Sequence, residues 1–338
     1  MYLNFFIISV LTNILFFLFF KKITKFVNIK DAGDGKRKFQ KKPVFLIGGT
    51  ILITNLVIIY IFNYFFTENI LFYKFLSNHR EYFSIIFGSI LFYIFGLYDD
   101  KIKLSANYKL LISLILVVFF ILIDDNLLIK ELNFSFLDHN VELRSFSYFF
   151  TILSFLLFIN ALNMLDGINL QAGFYCILIF LIFILKGIFV NLSLILIISL
   201  LFFLYLNFKN KAYLGESGTQ LLAFIICYIF LKSNNYQEKV FFADEIFVIM
   251  ALPGLDMFRL FLIRLISGKH PFKPDTKHIH HLLNTYFSKI NTFLIIFVGI
   301  FFSIVFYYLI GNKFIYIILY ILSYIVLVSF LTIKKNNK

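Results

Sequence analysis

Asp99 and Asp100 stand side by side where an apolar run from Tyr82 ends, in Gly96-Leu97-Tyr98-Asp99-Asp100-Lys101-Ile102-Lys103. Two carboxylates at the C-terminal end of a helix meet the partial negative charge of its macrodipole, so something positive must offset them. Solvation at a membrane surface would do this; so would a metal ion, or a phosphate held together with a cation. Lys101, Lys103 and Lys109 follow closely, a short basic hairpin suited either to neutralising the pair or to binding phosphate. Farther on, Asn160, Asn163 and Asp166 are spaced i, i+3, i+6 and share one helix stripe, with Gly167 free to turn the chain. An isolated Asp at a bilayer centre costs on the order of 3 kcal/mol, so this stripe belongs to a wet cavity near an interface. Glu216 and Ser217 lie between Gly215 and Gly218 before another apolar run; they read either as helix cap and first-turn acid or as a carboxylate open to a metal. His278, His280 and His281 fall within four residues, without a thiolate and among Arg and Lys. That company repels a cation and suits an anionic substrate such as a diphosphate.

The elements that must position these groups are membrane helices. Of 338 residues, 61% are hydrophobic and 14% charged, with a mean hydropathy of +0.91, far from a soluble chain. Apolar runs of about 17 to 25 residues recur, each long enough to cross roughly 30 Å of hydrocarbon, and the short alternating segments of a membrane barrel are missing. The fold class is all-α: one polytopic transmembrane helix bundle over residues 1–338. Helices are expected near 2–20, 44–66, 82–98, 107–123, 146–165, 172–190, 192–207, 219–232, 244–264, 292–310 and 314–333, eleven in all. Cys176 and Cys227 both fall in apolar runs and lack metal-ligand spacing.

The net charge of +13 is topological. Met1–Phe20 has no basic residue before its apolar run and no small-residue cleavage site, while Lys21 and Lys22 follow at once; this reads as an uncleaved first helix with its N-terminus outside. With that orientation the C-terminus is cytoplasmic, and 23 of the 31 Lys and Arg residues fall in cytoplasmic segments, as the positive-inside rule requires. The charge therefore argues against nucleic acid as a partner. The chemistry-bearing stretches, near 21–43, 99–109, 160–173, 207–218 and 265–290, all come to that same face. Gly48-Gly49, at a helix start, permits close approach of a ligand or a neighbouring helix.

Taken in order, Lys42-Pro43 with Gly48-Gly49, Asp99-Asp100 with Lys109, Asn160 to Gly173, Gly215 to Gly218 and His278-Ile279-His280-His281 resemble the polyprenyl-phosphate N-acetylhexosamine-1-phosphate transferases, glycosyltransferase family 4, over roughly residues 30–285. The resemblance implies an enzyme of the inner (cytoplasmic) membrane with its active site on the cytoplasmic face. Such an enzyme moves N-acetylhexosamine-1-phosphate from a UDP-sugar to undecaprenyl phosphate, releases UMP and starts a cell-envelope glycan such as O-antigen. It further implies Mg²⁺ or Mn²⁺ as cofactor and undecaprenyl phosphate, UDP-N-acetylhexosamine and the bilayer as partners, with a homodimer left open. By the same resemblance Asp99 and Asp100 act on the lipid phosphate. Glu216, Asp99, Asp100 and Asp166 then provide the metal site, and Asn160, Asn163 and Asp166 the nucleotide-sugar pocket. Asn207 and Tyr213 match uridine-site positions, Lys42, Lys103 and Lys109 would contact phosphate, and the histidine loop would hold diphosphate or sugar. That loop looks more like the GlcNAc-1-phosphate type than lipid I synthase, the phospho-MurNAc-pentapeptide transferase that is the alternative. Three positions depart from the pattern: Glu216 stands where Asp is usual, Asn169 runs directly into Leu170, and Phe45 replaces a common Pro. The rival from another class is a transporter of an anionic or lipid-linked solute, whose polar groups would sit near the midplane, not at one interface.

Overall fold

The structure, a computed structural model, describes residues 2–32, 43–66, 79–235, 240–268 and 277–336. Every segment expected to be helical contains a helix: α1 (Tyr2–Leu18), α3 (Gly48–Phe66), α4 (His79–Ile102), α5 (Ala106–Ile123), α6 (Ser147–Leu165), α7 (Gln171–Leu185), α8 (Val190–Phe208), α9 (Gly215–Asn234), α10 (Ala243–Ile266), α12 (Lys289–Leu309) and α13 (Lys313–Asn336). Two short ones join them, α2 (Phe20–Val27) and α11 (Ile279–Asn284). Among the described residues eight helices are long and apolar enough to cross a membrane by length and composition, or up to nine with α1 and α2 taken as one broken span. At 15 residues, α7 falls short of the roughly 20 needed.

The order in which the helices run brings the chemistry together. α3, α5 and α9 begin where α4, α6 and α8 end, so that Lys109 of α5, Glu216 of α9 and Asn163 of α6 touch at one end of the bundle. The central element is α9, buried on all sides from Ser217 to Ser233. Its N-terminal turn is reached closely because glycines face it. A Cβ on Gly49 would stand 2.6 Å from the backbone nitrogen of Gly218, and one on Gly96 2.4 Å from the Glu216 carbonyl oxygen. Gly48-Gly49 thus serves helix approach, the second of its two sequence readings.

Three local features were invisible to apolar periodicity. The chain bends by 75° between α1 and α2, turning a basic stretch expected as loop into a helix with Phe26 exposed. β1 (Lys30–Asp31) pairs antiparallel with β2 (Val44–Leu46), which pairs parallel with β5 (Ala212–Tyr213) in register Phe45↔Ala212. A second pair, β3 (Glu131–Leu132) and β4 (Val141–Glu142), lies in the 124–145 loop. Strands of two or three residues are too short to show alternation. The α7–α8 break falls at 186–189, within the expected stretch 186–191, where Gly187 and Phe189 take positive φ. In α10, Pro253 cannot donate to the Ile249 carbonyl; the Tyr175 hydroxyl donates to it instead, at 3.1 Å.

The opposite end carries buried charge. Lys232, at the far end of α9, is 2 % exposed and lies 2.7 Å from Asp124 and 3.2 Å from Glu81. Lys186, after α7, pairs with Glu245 at 2.9 Å, and Asp244 accepts from the Ser135 backbone N–H at 2.8 Å and from the Tyr307 hydroxyl at 2.6 Å.

Candidate active site

Asp99 and Asp100 lie in the last turn of α4, and their side chains part company there. Asp99, 2 % exposed, accepts from the Leu104 backbone N–H at 2.8 Å through Oδ1 and meets the Lys109 ammonium at 2.5 Å through Oδ2. Lys103, whose φ is +59, reverses the chain and returns its N–H to the Asp99 carbonyl at 2.8 Å, which is how a helix ends tightly on a left-handed residue. Asp100 faces the other way, with Oδ1 accepting from the Glu216 N–H at 2.8 Å and Oδ2 from the Ser217 N–H at 3.0 Å.

Glu216 sits in the first turn of α9, where a carboxylate is favoured by the helix dipole. Its Oε1 accepts from Lys109 Nζ at 2.7 Å and from Asn163 Nδ2 at 3.1 Å. Its Oε2 is buried and finds no hydrogen-bond partner among the described residues, a costly state for a charged oxygen. Lys109 is therefore a bridge, one ammonium against two carboxylates from two helices. Lys103 is exposed at the rim. Asn160 turns its amide back onto the Leu156 carbonyl at 2.7 Å, and Asp166 is the C-cap of α6, half-buried. Lys42 lies outside the described residues.

Asn207 joins two segments of the chain. Its Oδ1 accepts from the Leu170 N–H at 2.7 Å and its Nδ2 donates to the Ala212 carbonyl at 2.9 Å, tying the left-handed turn at Leu170 (φ +73) to β5. Asn169 adds bonds to the Asn207 carbonyl at 3.0 Å and to Asn210 at 2.8 Å. Tyr213 remains half-buried at the edge of a cavity of ≈ 890 Å³ that is also lined by Lys21, Lys209, Lys211, Lys289 and Phe45. Burial, with Asp31 and Asp166 nearby, raises the Tyr213 phenol above its ordinary value, so it presents a neutral ring beside four ammonium groups.

The histidine loop is held by Asp256, which carried no role in the sequence reading. Its carboxylate accepts from His278 Nδ1 at 2.8 Å, from Arg259 Nη2 at 2.8 Å, from the Tyr324 hydroxyl at 3.0 Å and from the Ile279 N–H at 3.1 Å. The only sequence signal was an acid in an apolar run three residues before Arg259. His280 is buried and packs on Gly167, where an added Cβ would stand 2.1 Å from Nε2. Burial first, then His281 and His278, pushes its pKa down to about 3, so its ring is neutral at physiological pH. The histidines and the Asp166 turn are thus one packed unit.

A cluster of carboxylates around one shared ammonium, gathered at one end of a polytopic helix bundle, is the candidate active site of a multi-pass membrane protein. The sequence model described as glycosyl transferase family 4 matches residues 82–234, the stretch holding Asp99, Lys109, Asn163 and Glu216. It is 27% identical over 293 residues to the undecaprenyl-phosphate alpha-N-acetylglucosaminyl 1-phosphate transferase of Escherichia coli O157:H7, covering 82% of this chain and 75% of that one. To the probable undecaprenyl-phosphate N-acetylglucosaminyl 1-phosphate transferase of Bacillus subtilis (strain 168) it is 28% identical over 310 residues, covering 88% and 82%. The Yersinia pestis relative of the first name matches at 27% over 199 residues, 56% and 54% of the two chains.

Proposed function

We propose that this protein transfers an N-acetylhexosamine-1-phosphate, GlcNAc-1-phosphate by preference, from a UDP-sugar to undecaprenyl phosphate and releases UMP. The observation that carries the reading is the cluster of Asp99, Lys109, Glu216 and Asn163, assembled from four helices. Joining two phosphates requires their mutual repulsion to be offset by cations and oriented donors, and this cluster stands at the bundle end where water and lipid meet. The cavity beside Tyr213 has the size of a small-molecule site, four lysines for a diphosphate and a neutral aromatic ring for a base to stack on. In this reading the protein is a multi-pass inner-membrane enzyme with an outside N-terminus, a cytoplasmic C-terminus and the site on the cytoplasmic face.

A divalent ion fits the donor set. All the acid and amide donors are oxygen, as Mg²⁺ and Mn²⁺ prefer, and Glu216 Oε2 is buried without a partner. Among the described residues no three His, Cys, Asp or Glu side chains converge on one point. Mg²⁺ is commonly bound through one or two carboxylates with the rest of its shell from substrate phosphates and water, and Glu216 and Asp99 would supply those two, with Asp166 from the neighbouring turn facing the nucleotide. The ion, when bound, neutralises charge between the two phosphates. Lys109 orients both carboxylates, Asn163 fixes Glu216, and Asp256 holds the histidine loop against the Asp166 turn.

Purified protein given undecaprenyl phosphate, UDP-GlcNAc and Mg²⁺ is expected to release UMP in step with lipid-linked product. Folded protein that releases no UMP from any UDP-N-acetylhexosamine would overturn the reading.

A further inference from the structure

The two adjacent acids carry different duties, and we propose that Asp100 is a positioning residue that acts through Glu216, while Asp99 faces the reacting site. Both oxygens of Asp100 are engaged by consecutive backbone N–H groups, Glu216 at 2.8 Å and Ser217 at 3.0 Å, and the side chain is buried. A carboxylate that accepts two N–H bonds at the start of a helix satisfies donors that have no partner within the helix and gains from its dipole. Among the described residues no hydrogen bond or ion pair joins it to Lys109, to Asn163 or to the Glu216 side chain. Asp99, one residue earlier, sends Oδ2 to the Lys109 ammonium that also holds Glu216.

The surroundings of Asp100 are built for this contact. Gly215 has φ +75, a conformation costly for other residues, and a Cβ there would stand 2.7 Å from Asp100 Oδ2. Gly96, one turn before Asp100 on α4, lies against the Glu216 and Ser217 backbone, where a Cβ would approach to 2.4 Å. Two glycines thus let the end of α4 press its carboxylate onto the first turn of α9, and the position of the Glu216 Cα follows from that pressure. Asp100 therefore sets where the Glu216 carboxylate stands, and through it the affinity of the site for a divalent ion.

The test uses the intact protein and three measurements: thermal unfolding in metal-free buffer, the Mg²⁺ concentration giving half-maximal UMP release, and the pH dependence of kcat/KM. It rests on the transferase reading only for the last two. Asp100→Asn keeps one accepting oxygen and sets an amide donor against the other N–H; Gly215→Ala pushes the cap aside without removing any ionisable group. Both variants are expected to unfold at lower temperature, to need about 10- to 100-fold more Mg²⁺, as displaced supporting partners of a metal ligand do, and to keep the shape of the wild-type pH profile. The proposal is overturned if Asp100→Asn keeps the wild-type unfolding midpoint yet loses a limb of the pH profile, which would make Asp100 a proton acceptor. It is equally overturned if Gly215→Ala matches wild type in midpoint and Mg²⁺ requirement, and this variant decides alone should Asp100→Asn fail to fold. Wild-type protein that releases no UMP would sink the transferase reading instead, and unchanged unfolding midpoints in both variants would then still sink the cap.

Discussion

Lys109 holds Asp99 and Glu216 at 2.5 and 2.7 Å and so ties two helices together at the site through one ammonium. Replacing it with Met leaves two carboxylates facing each other without their counter-charge. Lys109→Met is expected to lower UMP release by about 10²-fold or more, the scale of losing one oriented electrostatic group in an active site, read as kcat of the protein that folds. At His280 the sign of the pH effect follows from its depressed pKa of about 3. A histidine whose pKa falls on folding stabilises the native state above its unfolded value of about 6.5 and loses that contribution as pH falls toward the folded value. Thermal unfolding of the wild type should therefore drop between pH 7 and pH 4, and His280→Gln should show a shallower drop over the same range. A variant as acid-sensitive as wild type would remove His280 from that account.

The helices were legible because apolar length is a local property: each expected segment contains one, and Glu216, Lys109 and Asn163 could be named from spacing and from the side of the membrane assigned to them. The partners of those residues were less accessible. Nothing near Asp100 in sequence announces that its carboxylate meets a backbone 116 residues away, or that the Asn207 amide joins Leu170 to Ala212. Glycines link the two levels, since a helix pair without Cβ atoms at the crossing can put backbone against backbone. Gly49→Ala and Gly96→Ala are each expected to cost about 1–3 kcal/mol or more by overpacking, read as a lowered unfolding midpoint. Gly254, inside α10 with nothing within 4 Å of where an added Cβ would stand, is the control: Gly254→Ala should hold or raise the midpoint, by up to about 1 kcal/mol.

Across the whole bundle, α9 joins two charged ends. Glu216 and Lys232 are separated by roughly 24 Å along a helix rising 1.5 Å per residue, and each is tied to α4 and α5, the first through Asp100 and Lys109, the second through Glu81 and Asp124. Removing one partner of a buried ion cluster strands the others, at about 3–5 kcal/mol. Lys232→Met is accordingly expected to lower the unfolding midpoint sharply while molecules that remain folded keep wild-type kcat, because the change is at the far end of the helix. The Lys109 bridge has one more consequence, which concerns manufacture. A site of converging carboxylates normally cannot close until a metal arrives, and proteins built that way unfold in chelator. Here the chain brings its own counter-ion, so the bundle can be inserted and assembled with no divalent ion in hand. Treatment with EDTA should stop turnover yet leave a single cooperative unfolding transition, and restoring Mg²⁺ should return activity without a refolding step.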